Sequence, residues 1–287
     1  MCKYTNKLTN EFKNQDLEIL VSTMNRNTLD FLIPMFPFCH FSEFSILIVN
    51  QTQENNLLHS DFLSVRVINS FEKGLSKSRN LALKNAKGKI VLLTDDDVVF
   101  EADFQEKIID SFNKYPKATA ITFCIKNDKG DLFKKYPKHL KKLTSKLDVF
   151  QYMSVEIVLN MTIIHQLNCK FDEDFGLGSR FPLNEENIFM VDLLKSKQSL
   201  FFVPKVILSH PANVSDTKAN FRDKYYIQGA FLARIYDETN IIYLFAKLFF
   251  DLKQRKLKVC QIFSAIKSAN KGKNDFYNLK NENKNNT

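Results

Sequence analysis

At 287 residues, with 44% apolar and 25% charged content, the chain has room for one large α/β domain or two small ones and the composition of a globular protein. Its net charge of +9 is concentrated: residues 126–146 carry eight lysines against two acids, and residues 253–287 carry nine lysines and arginines against two. The rest is slightly acidic, which argues against a nucleic-acid-binding protein, whose cations would interleave with aromatics across a groove. The polar start MCKYTNKLTNEFKNQ lacks the apolar core of a signal peptide, and no apolar run reaches the length of a membrane span. Five scattered cysteines without a C-x-x-C pair argue against a disulfide scaffold or zinc site and suit a reducing compartment.

In chain order, LEILVST (17–23) reads as a strand that ends in polar Ser22, Thr23, Asn25 and Arg26. FLIPMFPF (31–38) is broken by proline and allows only a short helix from Leu29 to about Met35. FSILIVNQT (44–52) and FLSVRVIN (62–69) read as strands, and strand, helix, strand at this spacing predicts a parallel, doubly wound sheet. GLSKSRNLALKNAKGK (74–89) reads as a helix stopped by Gly88. Its first turn, with Ser76, Ser78, Arg79 and Asn80, is either an anion site or is simply capped by Ser76.

KGKIVLLTDDDVVF (87–100) is the most informative stretch. Ile90 to Leu93 predict a strand buried on both faces, with Asp95, Asp96 and Asp97 at its carboxyl end, the edge where open α/β sheets bind ligands. Three adjacent acids repel unless something compensates them, and Mg²⁺ or Mn²⁺ is the simplest remedy. In an extended segment Asp95 and Asp97 point to one side and Asp96 away. The competing reading is a solvated acidic turn that caps a helix starting near Glu101.

A helix (about 101–115), a strand (118–126), the lysine-rich connector and a strand running into a short helix (154–166) follow. In FDEDFGLGSRFPLNEENIFMVDLLKSK (171–197), Gly176 and Gly178 allow positive φ, Pro182 fixes the loop, and Asn184 can cap a helix opening with Glu185 and Glu186. QSLFFVPKVILSHP (198–211) gives one or two strands ending at His210. Residues 220–238 have amphipathic helical spacing, and 241–269 continue as helix with apolar and basic faces. The basic tail suits an anionic membrane face or is solvated chain.

Together, VSTMNR after a strand, GLSKSRNLAL, VLLTDDDVVF, FGLGSRFPLNEENIF and a late SHP resemble, in order and over roughly residues 17–211, the family 2 glycosyltransferases of the GT-A fold, of the bacterial nonprocessive kind that build surface polysaccharides. The resemblance implies a Rossmann-like, mostly parallel α/β sheet flanked by helices, with a C-terminal helical extension. It implies a catalytic domain over 1–215 (nucleotide half about 17–125, acceptor half about 126–215), followed by amphipathic helices and a basic tail over 216–287. Ser22, Thr23, Asn25 and Arg26 would meet the nucleotide of a UDP-sugar. Ser78, Arg79 and Asn80 match the donor motif. Asp95 would touch the ribose or sugar, or join Asp97 on a Mn²⁺ or Mg²⁺ ion, with Asp96 serving either and His210 a late ligand.

The family's base belongs to a Glu-Asp pair at a helix start. Here the pair is Glu185-Glu186, position favours Glu186, and the choice between them stays open. The implied activity is inverting transfer to a glycan or lipid-linked hydroxyl, in the cytoplasm or on the inner face of its membrane, without nucleic acid. A processive synthase is disfavoured, because there is no Q-x-x-R-W motif and no membrane span. With Trp absent, an acceptor platform would fall to Phe175, Phe181 or Tyr152. The alternatives are a noncatalytic sugar-nucleotide-binding relative and a sugar nucleotidyltransferase, although VSTMNR stands where the latter would carry a glycine-rich loop. No P-loop or dinucleotide fingerprint is present.

Overall fold

The computed structural model describes residues 11–211, 221–237 and 240–285. Cys2, most of the polar start and the domain boundary expected at 215 lie outside the described residues. The chain divides into two compact units. The first holds residues 1–73, 78–169 and 193–212, and the second holds 74–77, 170–192 and 213–287.

The first unit carries the sheet. Its elements run β1 (Leu17–Met24), α1 (Leu32–Met35), β2 (Ser45–Gln51), β3 (Val65–Ser70), α2 (Leu75–Asn85), β4 (Ile90–Asp95), β5 (Val99–Phe100), α3 (Phe104–Lys114), β6 (Ala120–Lys126), β7 (Lys141–Leu143), α4 (Lys146–Val149), β8 (Ile157–Asn160) and α5 (Met161–Leu167). After α6 (Glu185–Lys195) the chain returns to the sheet as β9 (Leu200–Ser209). Among the described residues these strands form one sheet in the order β3-β2-β1-β4-β8-β6-β9-β5, with β7 also on β9.

The expected doubly wound half is present: β3, β2, β1 and β4 are all parallel, and each is followed by helix or loop before the next. Beyond β4 the sheet is mixed. β8 enters antiparallel between β4 and β6, β6 and β9 are parallel, and β5 and β7 pair antiparallel with β9.

Phenylalanine fills the core in place of tryptophan. Phe36, from the proline-broken stretch, stacks on Phe44 (4.8 Å) and Phe100 (4.9 Å), and Phe100 stacks on Phe104 at 4.5 Å. Burying such a ring contributes about 1.5–3 kcal/mol. It also anchors β5, the two-residue strand that follows the acidic turn.

The lysine-rich connector is less free than its composition suggests. Lys126 pairs with Glu101 (2.9 Å), Lys141 with Asp148 (2.5 Å) and Lys134 with Glu156 (2.5 Å). Glu156 is fully buried and also accepts hydrogen bonds from the Tyr136 hydroxyl and the Met153 amide, each 2.5 Å. Burial pushes its carboxyl above the usual range, and Lys134 pulls the other way.

The second unit is built on α7 (Phe221–Tyr236), α8 (Asn240–Lys253) and α9 (Ile262–Asn285), with the start of α6 and the loop before it. Residues 241–269 are not one helix. Arg255 adopts φ 58°, and the Asp251 carbonyl accepts from Lys256 and Leu257, which turns the chain between α8 and α9. From Ile262 to Asn285 the basic tail is then an α-helix with a buried face. Ala265, Ala269, Gly272 and Phe276 are buried along one face of α9, and α9 and α7 approach so closely that a Cβ on Gly229 would lie 1.9 Å from the Ala269 oxygen. A Cβ on Gly272 would meet the Tyr226 oxygen at the same distance. Arg234 ties α7 to Asp172 and Asp192, both at 2.7 Å.

Two thermal-melt predictions follow from these contacts. Gly229→Ala should force α7 and α9 apart and cost about 1–3 kcal/mol; an unshifted melting temperature would mean the helices do not touch there. Lys134→Met, which leaves the buried Glu156 without its counter-charge, should cost about 3–5 kcal/mol.

Candidate active site

In the first unit the parallel register puts the chemistry-bearing residues on one edge. Ser22 on β1 lies directly opposite Asp95 on β4, and Thr23 opposite Asn50 on β2, all at carboxyl ends of strands. β4 is buried from Ile90 to Thr94, as its aliphatic run predicts. The acidic segment, however, does not stay extended: Asp95 is the last strand residue, and Asp96 and Asp97 sit in a turn. The turn does not cap the following helix, because β5 intervenes.

Each carboxylate takes a different partner. Asp95 accepts from the Arg79 guanidinium (3.3 Å), which is buried and also donates to the Ser154 hydroxyl at 2.7 Å. Asp96, which an extended D-x-D would turn away, accepts from the Thr23 hydroxyl (2.5 Å) and from Arg26 Nε (2.8 Å). Asp97 lies 3.5 Å from His210 Nε2. Although Asp97 is 53% exposed, partial burial raises its pKa; His210 pulls against that rise, and Asp95 and Asp96 add to it.

β9 brings His210 to the site. Val99 pairs with Ser209 and Phe100 with Leu208, so the residue after β9 lands beside the acidic turn. His210 is anchored by its amide to the Lys126 carbonyl and by Nδ1 to the Pro211 carbonyl, each 2.9 Å.

The loop after β1 is held by a residue the sequence reading passed over. Asn50, fully buried, accepts from the Arg26 amide (3.1 Å) and donates to the Arg26 carbonyl (2.9 Å) and to Asn69 Oδ1 (3.0 Å). A polar side chain closing an apolar strand run was the available signal. Asn25 turns the loop with φ 55°, a left-handed conformation that asparagine tolerates better than most residues. Ser78 Oγ donates to Ser22 Oγ at 3.0 Å, and Asn80 is half-buried on the same helix, α2. Ser154 carried no signal, lying just beyond the lysine-rich connector.

In the second unit the loop before α6 is closed by its own bonds: Gly176 N to Phe181 O (2.9 Å), Phe181 N to Asp174 O (3.0 Å) and Ser179 Oγ to Gly176 O (2.7 Å). Gly176 and Gly178 have φ 100° and 81°, as expected. Asn184 also takes positive φ (73°) on entry to α6, rather than the extended form of an ordinary N-cap. Glu185 is buried, and a Cβ on Gly176 would sit 3.2 Å from its carboxyl carbon; Glu186 is half-buried. Ser76 donates to the Phe175 carbonyl at 2.6 Å, tying the first turn of α2 to this loop.

Phe175, Phe181 and Tyr152 are all buried, the first two against each other at 5.0 Å, so they are core and not an acceptor platform. A cavity of about 660 Å³ in this unit is lined by Leu183, Asn184, Tyr225, Gln228, Lys247 and Lys256, among others.

Asp97 and His210 suit a hard divalent cation. They offer one carboxylate oxygen and one imidazole nitrogen 3.5 Å apart. Among the described residues no group of three or more His, Cys, Asp or Glu side chains is arranged to hold a metal, so the remaining ligands would come from phosphate and water. The Cys39, Cys124 and Cys260 thiols are free, and no described helix is long and apolar enough to cross a membrane.

Residues 42–163 match the model of the family described as Glycosyl transferase family 2. No curated protein matches the chain. Among solved structures, S. aureus TarS 1-349 in complex with UDP-GlcNAc is similar with a TM-score of 0.55 at 15% identity, over 77% of this chain and 66% of that one. S. aureus TarS 1-349 alone gives 0.53 at 15% identity, over 77% and 65%. Against the longer S. aureus TarS structure the values are 0.53 and 16%, over 77% and 40%. The chain thus spans just under two thirds of the TarS 1-349 structures, and at such identity the likeness speaks for the fold. The segment 42–163, which contains the acidic strand end, is thus similar to the Glycosyl transferase family 2 model, and the chain shares the mixed α/β fold of the TarS structures.

Proposed function

We propose that the protein is an inverting glycosyltransferase that moves a sugar from a nucleotide-sugar, a UDP-sugar, to a hydroxyl of a glycan or lipid-linked acceptor, with a divalent cation. The observation that carries this reading is the division of Asp95, Asp96 and Asp97 among Arg79, Thr23 with Arg26, and His210 at the carboxyl ends of β1 and β4. The UDP-GlcNAc and UDP complexes of S. aureus TarS 1-349, which share the fold, support a UDP-sugar donor.

Each residue then has a task its geometry suits. Ser22, Thr23, Asn25 and Arg26 line the loop that takes the nucleotide, kept in place by Asn50. Arg79, rigid in its buried slot, holds Asp95 toward the ribose or sugar, with Ser78 and Asn80 beside it on α2. Asp97 and His210 would hold Mn²⁺ or Mg²⁺, with Asp95 as the further carboxylate in reach of the same turn. When bound, the cation neutralises charge growing on the departing diphosphate.

The acceptor oxygen attacks the anomeric carbon as the bond to the β-phosphate oxygen breaks, and its proton passes to a glutamate at the start of α6. Glu186 is the more accessible of the two, while Glu185 is packed behind it on Gly176. Attack from the face opposite the leaving group inverts the anomeric carbon. The cavity beside Asn184 supports an acceptor-side role for the second unit, and the reaction would run in the cytoplasm or at the inner face of its membrane.

Two measurements test this. Chelation, and Asp97→Asn, should each weaken UDP binding by calorimetry and abolish turnover of a nucleotide-sugar; full activity in chelator would remove the cation from the reading. Glu186→Gln should lower kcat by about 10²–10⁴ with donor binding retained, and Glu185→Gln by less. The reverse ranking would make Glu185 the base, and unchanged rates in both would leave a protein that binds without this chemistry.

A further inference from the structure

The second unit exposes a surface that helix packing does not account for. On α8, Leu244 and Leu248 are buried, and Asp251 joins them there, held by the Tyr225 hydroxyl (2.7 Å) and Lys247 (2.6 Å). The opposite side is apolar too. Ile242, Phe245, Ala246, Phe249 and Phe250 follow the i, i+3, i+4, i+7, i+8 pattern of one helix face. Ile242, Phe245, Phe249 and Phe250 are 65%, 54%, 61% and 54% exposed. Of the nineteen exposed large hydrophobic side chains among the described residues, eight fall between Ile241 and Phe263. Soluble proteins scatter such residues singly; a cluster marks a surface that is covered in use.

Charge identifies the cover. Residues 240–274 hold eight lysines and arginines against Asp251 alone, and Asp251 is buried on Lys247. Lys253, Arg255, Lys256 and Lys258 are exposed immediately after the aromatic face. A second copy of the chain would set one cationic face against another, which costs energy, whereas an anionic face is attracted. At 14 residues α8 is about 21 Å long, too short to span a bilayer and suited to lying in its surface.

We propose that α8 docks on an anionic lipid surface, with Phe245, Phe249 and Phe250 at the acyl boundary and the cations around residues 253–258 on lipid phosphates. The contact differs in kind from a purely electrostatic tail, because the apolar face supplies the insertion and the cations only select the lipid. It stands on α8 alone and does not depend on the sugar-transfer reading.

Flotation of the full chain with vesicles of phosphatidylcholine, with or without phosphatidylglycerol, tests it. The protein should float with the anionic vesicles and stay behind with the neutral ones. The triple variant Phe245→Ser, Phe249→Ser, Phe250→Ser should lose at least about tenfold in partitioning, and Arg255→Ser with Lys258→Ser should lose binding in a salt-sensitive way, both with unchanged melting temperature. Failure of the wild type to float, equal flotation of the triple variant, or equal binding to neutral vesicles would overturn the proposal. So would a concentration-dependent dimer that the triple variant converts to monomer, since the face would then belong to a second copy.

Discussion

The first unit's chemistry depends on how three consecutive carboxylates coexist at one sheet edge. Two unit charges about 4 Å apart interact by about 4 kcal/mol in the effective dielectric near a protein surface, so the turn holds only if each charge is answered separately. The turn after β4 does this by aiming Asp95 at the buried Arg79, Asp96 at Thr23 and Arg26, and Asp97 at His210. Partial burial pushes the Asp97 carboxyl up, against the pull of His210.

Holding the arrangement requires rigid surroundings. The Phe36, Phe100 and Phe104 stack fixes β5, and the pairing of β5 with β9 carries His210 to the turn. On the other side Asn50 and the left-handed Asn25 fix the loop that supplies Arg26. Positive φ at a non-glycine residue also recurs at Asn184, beside the glutamate pair of the second unit. Backbone conformations of this sort cost energy and persist where neighbouring contacts over-determine them. Both segments meet that condition, one through asparagine hydrogen bonds and the other through a loop closed on itself.

The second unit shows how composition can mislead about order. A tail rich in lysine and asparagine reads as solvated chain, yet from Ile262 to Asn285 it forms a 24-residue helix whose small side chains let its backbone touch α7. Three lysines of the connector, Lys126, Lys134 and Lys141, likewise pair with Glu101, Glu156 and Asp148.

The strands of the parallel half, the buried run ending on the aspartates and the glycine loop before Glu185 were all legible in the sequence, because each rests on local periodicity or backbone chemistry. So was the resemblance that names Arg79, Asp97 and His210. Which partner each aspartate takes was not legible: side-chain direction in a turn depends on Thr23, Arg26 and His210 arriving from β1 and β9, far along the chain. Nor were the antiparallel entry of β8, the burial of Phe175, Phe181 and Tyr152, or the packing of α9 on α7. Those follow from which surfaces meet, and the same residues would have patterned equally well as platform, edge or tail until the tertiary fold brought their neighbours to them.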